Sequence, residues 1–171
     1  MHSAIFIDDF ERTENTDELH AILGRALIVA TRFDSMCKAA ALHLSLAKEP
    51  ILRGGEDERQ LLLTKVAEKH RTLSSSIASL KLPKDVAILL EDANAARNVV
   101  AHELAQGLTG CLDVKTDDEA LIRQVYDAVF ALAYGDVVVS HVVSALNKDQ
   151  LPNAELLSSY VERVTKWVVE R

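Results

Sequence analysis

Between Leu19 and Ala40 the apolar residues Leu19, Ile22, Leu23, Ala26, Val29, Ala30, Phe33, Met36, Cys37 and Ala40 recur at intervals of three and four. That spacing gathers one face of an α-helix and is incompatible with the alternation of a strand. It predicts a helix from about Asp17 to Lys48, with Asn15 and Glu18 placed as a capping box at its start and Pro50 and Gly54-Gly55 as its stop. So long an apolar stripe must be covered by other elements. With only 3 Pro, 6 Gly and 5% aromatic residues in 171, the rest of the chain is poor in what sandwiches and barrels need and rich in helix formers.

The same reading continues along the chain. A second helix is expected from about Glu56 to Leu80, with Leu62, Leu63, Val66, Leu73, Ile77 and Leu80 facing inward and acidic residues in its first turn. Pro83 opens a third that runs to about Gln106 and stops at Gly107. Thr116-Asp117-Asp118-Glu119 caps a fourth reaching about Asn147, and Pro152-Asn153 precede a last helix carrying Leu156, Leu157, Tyr160, Val161, Val164, Trp167 and Val168. The fold expected is all-α: an antiparallel, up-down bundle of about five helices forming a single domain over residues 16–171, preceded by an N-terminal arm over 1–15.

Composition narrows the function classes. A formal charge of −7 opposes broad capture of nucleic acid by phosphate attraction, although a local cationic cleft survives because charges beyond about 8 Å are largely screened at physiological salt. The first residues, Met1 to Asp9, lack a basic region followed by a long apolar stretch, and Val137 to Leu146 is interrupted by Ser140, His141 and Ser144. The expectation is a cytoplasmic chain that does not enter a membrane. Cys37 and Cys111 form no C-x-x-C pair and are read as free thiols.

One segment combines chemically capable residues: Arg97-Asn98-Val99-Val100-Ala101-His102. At about 100° per residue, Leu89, Ala93, Ala96, Val100 and Leu104 gather into a core-facing stripe, with Arg97 beside it and Asn98 and His102 turned together toward the outer side. An arginine at the core edge needs an anionic or carbonyl partner. Asp34, set among apolar residues of the first helix, is the candidate. A fixed cation, an amide and an imidazole, whose ordinary titration falls near neutral pH, together suit the handling of a phosphodiester.

The text Ala96-Arg97-Asn98-Val99-Val100-Ala101-His102-Glu103-Leu104 resembles the HEPN (higher eukaryotes and prokaryotes nucleotide-binding) superfamily of small helical bundles, whose mark is Arg, a polar residue, a few more residues, then His. The long opening helix with Gly24 to Asp34 is similar to theirs too. The resemblance implies a metal-independent endoribonuclease site with no cofactor, commonly assembled across a homodimer, and a toxin–antitoxin or phage-defence setting with an antitoxin as possible protein partner. It implies roles for three residues: His102 as general base or acid for attack of a ribose 2′-hydroxyl on the adjacent phosphate, Arg97 as stabiliser of the phosphorane charge, and Asn98 as orienting group. The Tyr that one toxin subgroup carries two residues after the His is replaced by Leu104, so regulation through that Tyr does not transfer. The alternative is a noncatalytic helical module that binds a protein or nucleotide and dimerises.

Other chemistries lack their residues. No Glu has His three positions later, as a carboxylate di-iron bundle requires, and no H-E-x-x-H, P-loop or G-x-G-x-x-G occurs. His20, His43 and His70 are scattered, Ser74-Ser75-Ser76 reads as a solvated helix face, and His141 reads as a core or interface histidine. Val137 to Val143 is apolar on more than one side, which fits a central helix or a homodimer seam.

Overall fold

The computed structural model describes residues 16–47, 55–106, 117–151 and 153–170. The expected arm over 1–15, the capping residues Asn15 and Thr116, the stop signals Pro50, Gly54 and Gly107, Cys111 and Pro152 lie outside these residues. Among the described residues there are six helices and no strand: α1 (Thr16–Leu46), α2 (Glu56–Lys69), α3 (Leu73–Ser79), α4 (Lys84–His102), α5 (Asp118–Asn147) and α6 (Ala154–Val169).

The local chemistry explains the boundaries. Asp117 caps α5 by accepting from Glu119 N at 3.1 Å, and Asn153 caps α6 by accepting from Glu155 N at 2.9 Å. Pro83 sits just before α4 and its carbonyl accepts from Ala87 N at 2.9 Å. Lys148, left-handed at φ 59°, ends α5.

The helix expected over 56–80 is two helices. α2 ends at Lys69, and Thr72 starts α3 by accepting from Ser75 N at 3.1 Å. The break is held by buried polar groups. His70 is 4% exposed; Ser45 Oγ lies 2.8 Å from its Nε2 and Ser79 Oγ 3.4 Å from its Nδ1. Ser76, expected on a solvated face, is fully buried and donates to the carbonyls of Thr72 and His70 at 3.0 and 3.3 Å. These bonds replace the helical ones lost at 70–72. α2 buries only Val66, and Leu63, expected inward, is 41% exposed. α4 likewise ends at His102 rather than Gln106; residues 103–106 continue as tighter turns that bury Leu104.

α5 is the central element, packed against α1, α4 and α6. Phe33, Leu90, Leu132, Val125 and Val129, all fully buried, join three of these helices in one core. Each such side chain contributes about 1.5–3 kcal/mol by leaving water. The closest approach is at Gly135, where an added Cβ would lie 2.6 Å from Ala93 Cβ and 2.8 Å from Phe33 Cε2. α1 and α6 run in opposite senses: Arg25 donates to the Val168 carbonyl at 2.9 and 2.7 Å, while farther along α1 Arg32 meets Tyr160 through Asp136. By length and composition alone α5 is apolar enough to cross a membrane; here its buried face is shared with its three neighbours.

Candidate functional site

α4 and α1 build the site. Ala93, Ala96 and Val100 are buried, which fixes the rotation of α4 and leaves Arg97 part-buried at the edge and Asn98 and His102 exposed. Leu90, fully buried, carries more of this stripe than Leu89, which is only half-buried. Arg97 Nη2 donates to Asp34 Oδ2 at 3.2 Å and its Nη1 donates to Asn98 Oδ1 at 3.1 Å. The partner read from the sequence is therefore the one the fold supplies. Lys38, four residues after Asp34 on α1, donates to the same Oδ2 at 3.2 Å. Its ammonium is also 3.0 Å from Oδ1, but without hydrogen-bond alignment, so that buried oxygen accepts no hydrogen bond.

These groups open onto a polar cleft of about 290 Å³ between α1, α4 and the α2–α3 junction. Among the described lining residues, Lys38, Arg71 and Arg97 bring three cations against the single carboxylate of Asp34. Thr72, Ser74, Asn94 and Asn98 supply the remaining polar lining, and Asn94 Nδ2 is tied to Ser74 Oγ at 3.2 Å. A chain of net charge −7 thus presents a local excess of two positive charges. His102 is not among the lining residues. It lies in the last turn of α4, exposed, and its backbone carbonyl accepts from Gln106 Nε2 at 2.7 Å. The fold joins Arg97 to Asn98 by a hydrogen bond, while the His102 imidazole, one turn beyond Asn98 on α4, bonds to neither and does not line the cleft.

The sequence pattern missed Lys38, Arg71 and Asn94. Lys38 and Asn94 had a usable signal, since they stand one helical turn from Asp34 and Arg97 respectively. Arg71 had none, because only the break between α2 and α3 turns it toward the cleft.

A second carboxylate, fully buried, lies deeper. Asp136 Oδ2 accepts from Arg32 Nε at 2.7 Å and from Tyr160 Oη at 2.7 Å, and its Oδ1 has no hydrogen bond. Burial first, and then the bond to Asp136, raise the Tyr160 phenol above its ordinary value; Arg32 is raised by its own bond to Asp136 and by the charge of that carboxylate. Cys37 is buried, and desolvation with the charges of Asp136 and Asp34 pushes its thiol up to about 12, which makes it a poor nucleophile.

The face of α5 away from the cleft lines an apolar groove of about 900 Å³, shared with the start of α4 and with α6. Tyr126, Phe130 and Tyr134, one turn apart, are 46%, 48% and 44% exposed along it. His141 lies on its wall, half-buried, with Nδ1 donating to the Val137 carbonyl at 2.8 Å. Among the described residues no three His, Cys, Asp or Glu side chains converge in a way that could hold a metal ion. Compared with protein-family models, curated proteins and solved structures, the chain matches none.

Proposed function

We propose that the protein is a metal-independent endoribonuclease of HEPN type, built as an up-down helical bundle. The observation that carries this reading is the Asp34–Arg97–Asn98 chain: a guanidinium oriented from behind by a part-buried carboxylate at the edge of a cationic cleft, on the same helix as an exposed imidazole. Pre-orientation by Asp34 fits Arg97 for stabilising charge on a phosphorane, since a donor already in place reorganises little during reaction. Asn98 spends its carbonyl on Arg97, leaving its amide N–H groups for a phosphate oxygen.

In the reaction, His102 takes the proton of a ribose 2′-hydroxyl, the 2′-oxygen attacks phosphorus, and the bond from phosphorus to the 5′-oxygen breaks. The leaving oxygen takes a proton from water, and the resulting hydroxide restores neutral His102. The products are a 2′,3′-cyclic phosphate and a 5′-hydroxyl. Because His102 does not line the cleft of its own chain, a homodimer that brings a second copy's imidazole to Arg97 completes the site. The cytoplasm, and a toxin–antitoxin or phage-defence system with an antitoxin as partner, suit such an activity.

Cleavage of total cellular RNA in EDTA tests the reading. Wild type should cut, and Arg97→Ala and His102→Ala should each lower the rate by at least about 100-fold while remaining folded. An inactive wild type, or a His102→Ala variant that cuts equally well, defeats it.

A second reading, a noncatalytic module that dimerises, is favoured by the apolar groove. Its exposed aromatic row on α5 is a surface that a second copy could cover. Sedimentation of wild type and Phe130→Asp, together with the RNA assay, separates the two. Self-association lost in the variant, with no cleavage by wild type, favours the module.

A further inference from the structure

We infer that Lys38 and Arg71 anchor the sugar–phosphate backbone of single-stranded RNA in the cleft beside Arg97, without selecting its bases. The inference rests on the RNA-cleaving reading, and it assigns to two side chains outside the Arg–Asn–His motif the task of holding the strand.

The geometry separates holding from chemistry. Arg97 is committed on both terminal nitrogens, one to Asp34 and one to Asn98, and its side chain is only 29% exposed. Its capacity to capture a polyanion from solution is correspondingly small. Arg71 is the opposite case: it is exposed, lines the same cleft, and its side chain makes no hydrogen bond or ion pair among the described residues. Its five N–H donors are available to a phosphate. Lys38 is intermediate, 40% exposed and held against Asp34, so one carboxylate steadies two cations from α1 and α4. Asp34 cancels only one of the three charges.

The lining identifies the ligand. Excess positive charge with hydroxyl and amide groups suits a phosphodiester and its sugar. Among the described residues no aromatic side chain lines the cleft, so these supply no stacking surface that reads or grips bases. A cleft of about 290 Å³ without such a platform contacts the backbone alone.

Fluorescence anisotropy with labelled 2′-O-methyl hexauridylate and hexaadenylate, which cannot be cleaved through the 2′-oxygen, tests the inference, with inorganic phosphate as competitor. The two hexamers should bind equally well and far more tightly than phosphate. Arg71→Gln and Lys38→Gln should each weaken binding about fivefold at 0.1 M salt and lower the slope of log affinity against log salt by about 0.7, the release expected for one lost phosphate contact on a single strand. Arg123→Gln, an exposed cation on α5 outside the cleft, should leave both quantities unchanged. Unchanged slopes in Arg71→Gln and Lys38→Gln, no binding of either hexamer, or binding of phosphate alone would overturn the inference. Arg71 has no side-chain partner to lose among the described residues, so its variant remains informative even if Lys38→Gln unfolds. Hexamer binding with the expected slopes but no RNA cleavage would remove the nuclease reading and leave the cleft; cleavage with unchanged slopes would do the reverse.

Discussion

Arg97 Nη2 lies 3.2 Å from Asp34 Oδ2, which ties the middle of α4 to the middle of α1 at the edge of the core. Asp34 is 13% exposed at its side chain and Arg97 29%, so neither is well solvated if the other is removed. Loss of Arg97 leaves the carboxylate to Lys38 alone, which holds it imperfectly through Oδ2. Arg97→Met should therefore cost about 1–3 kcal/mol, and Asp34→Asn a similar amount. Urea unfolding of both variants and their double should show a coupling of about 0.5–3 kcal/mol. Purely additive losses would mean that the pair does not act as one.

The buried Asp136 makes a sharper case. Tyr160→Phe removes one of its two donors while Oδ1 is already without a hydrogen bond. The loss should be about 1–3 kcal/mol in urea unfolding, against less than about 0.5 kcal/mol for the exposed Tyr126→Phe. The phenol also supplies a pH signature. Its raised folded value means that the unfolded chain loses this proton first, so Tyr160 adds a fall in stability as the pH climbs past 10. That component should be missing from Tyr160→Phe.

Periodicity made α1, α4, α5 and α6 readable because each keeps one apolar stripe against a common core, and their caps are short-range features: Asp117, Asn153 and Pro83 act on the residues next to them. The pairing of Asp34 with Arg97 was also accessible, since a charge at a core edge demands a partner and few were on offer. The α2–α3 break was not. It depends on His70 and Ser76 entering the interior, where Ser45 from another helix bonds the His70 ring and Ser76 bonds the His70 carbonyl. Such long-range satisfaction of polar groups leaves no periodic trace. For the same reason one of the three cations of the cleft was hidden, because Arg71 reaches it only through that break. The place of His102 was read correctly as outward, but its absence from the cleft lining follows from where α4 lies against its neighbours, which a helical projection does not contain.

Two glycines provide opposite tests of the packing. Gly135→Ala on α5 must place a methyl group 2.6 Å from Ala93 Cβ and 2.8 Å from Phe33 Cε2, contacts that only a shift of helices can relieve. It should destabilise by about 1–3 kcal/mol. Gly24 on α1 has nothing within 4 Å of the same built position, so Gly24→Ala should gain about 0.5–1 kcal/mol from helix propensity. Thermal unfolding that moved both variants in the same direction would contradict the close approach of α5 to α1 and α4.

His70 gives the fold an acid-sensitive joint. Burial, and secondarily the charge of Lys69, lower its folded value below the ordinary 6.5, so the folded chain resists a proton that the unfolded chain accepts. Stability from this group is complete above pH 6.5 and declines as the pH falls through the lowered folded value. Protonation also turns both ring nitrogens into donors, which Ser45 and Ser79 must then accept together while Ser79 keeps its own bond to the Ser76 carbonyl. Urea midpoints should fall between about pH 7 and pH 5 in wild type, with a smaller fall in His70→Asn, which carries no titrating ring. The variant itself should start lower at neutral pH, because it gives up two hydroxyl contacts at the α2–α3 junction. Equal pH dependence in both proteins would place the acid sensitivity elsewhere in the chain.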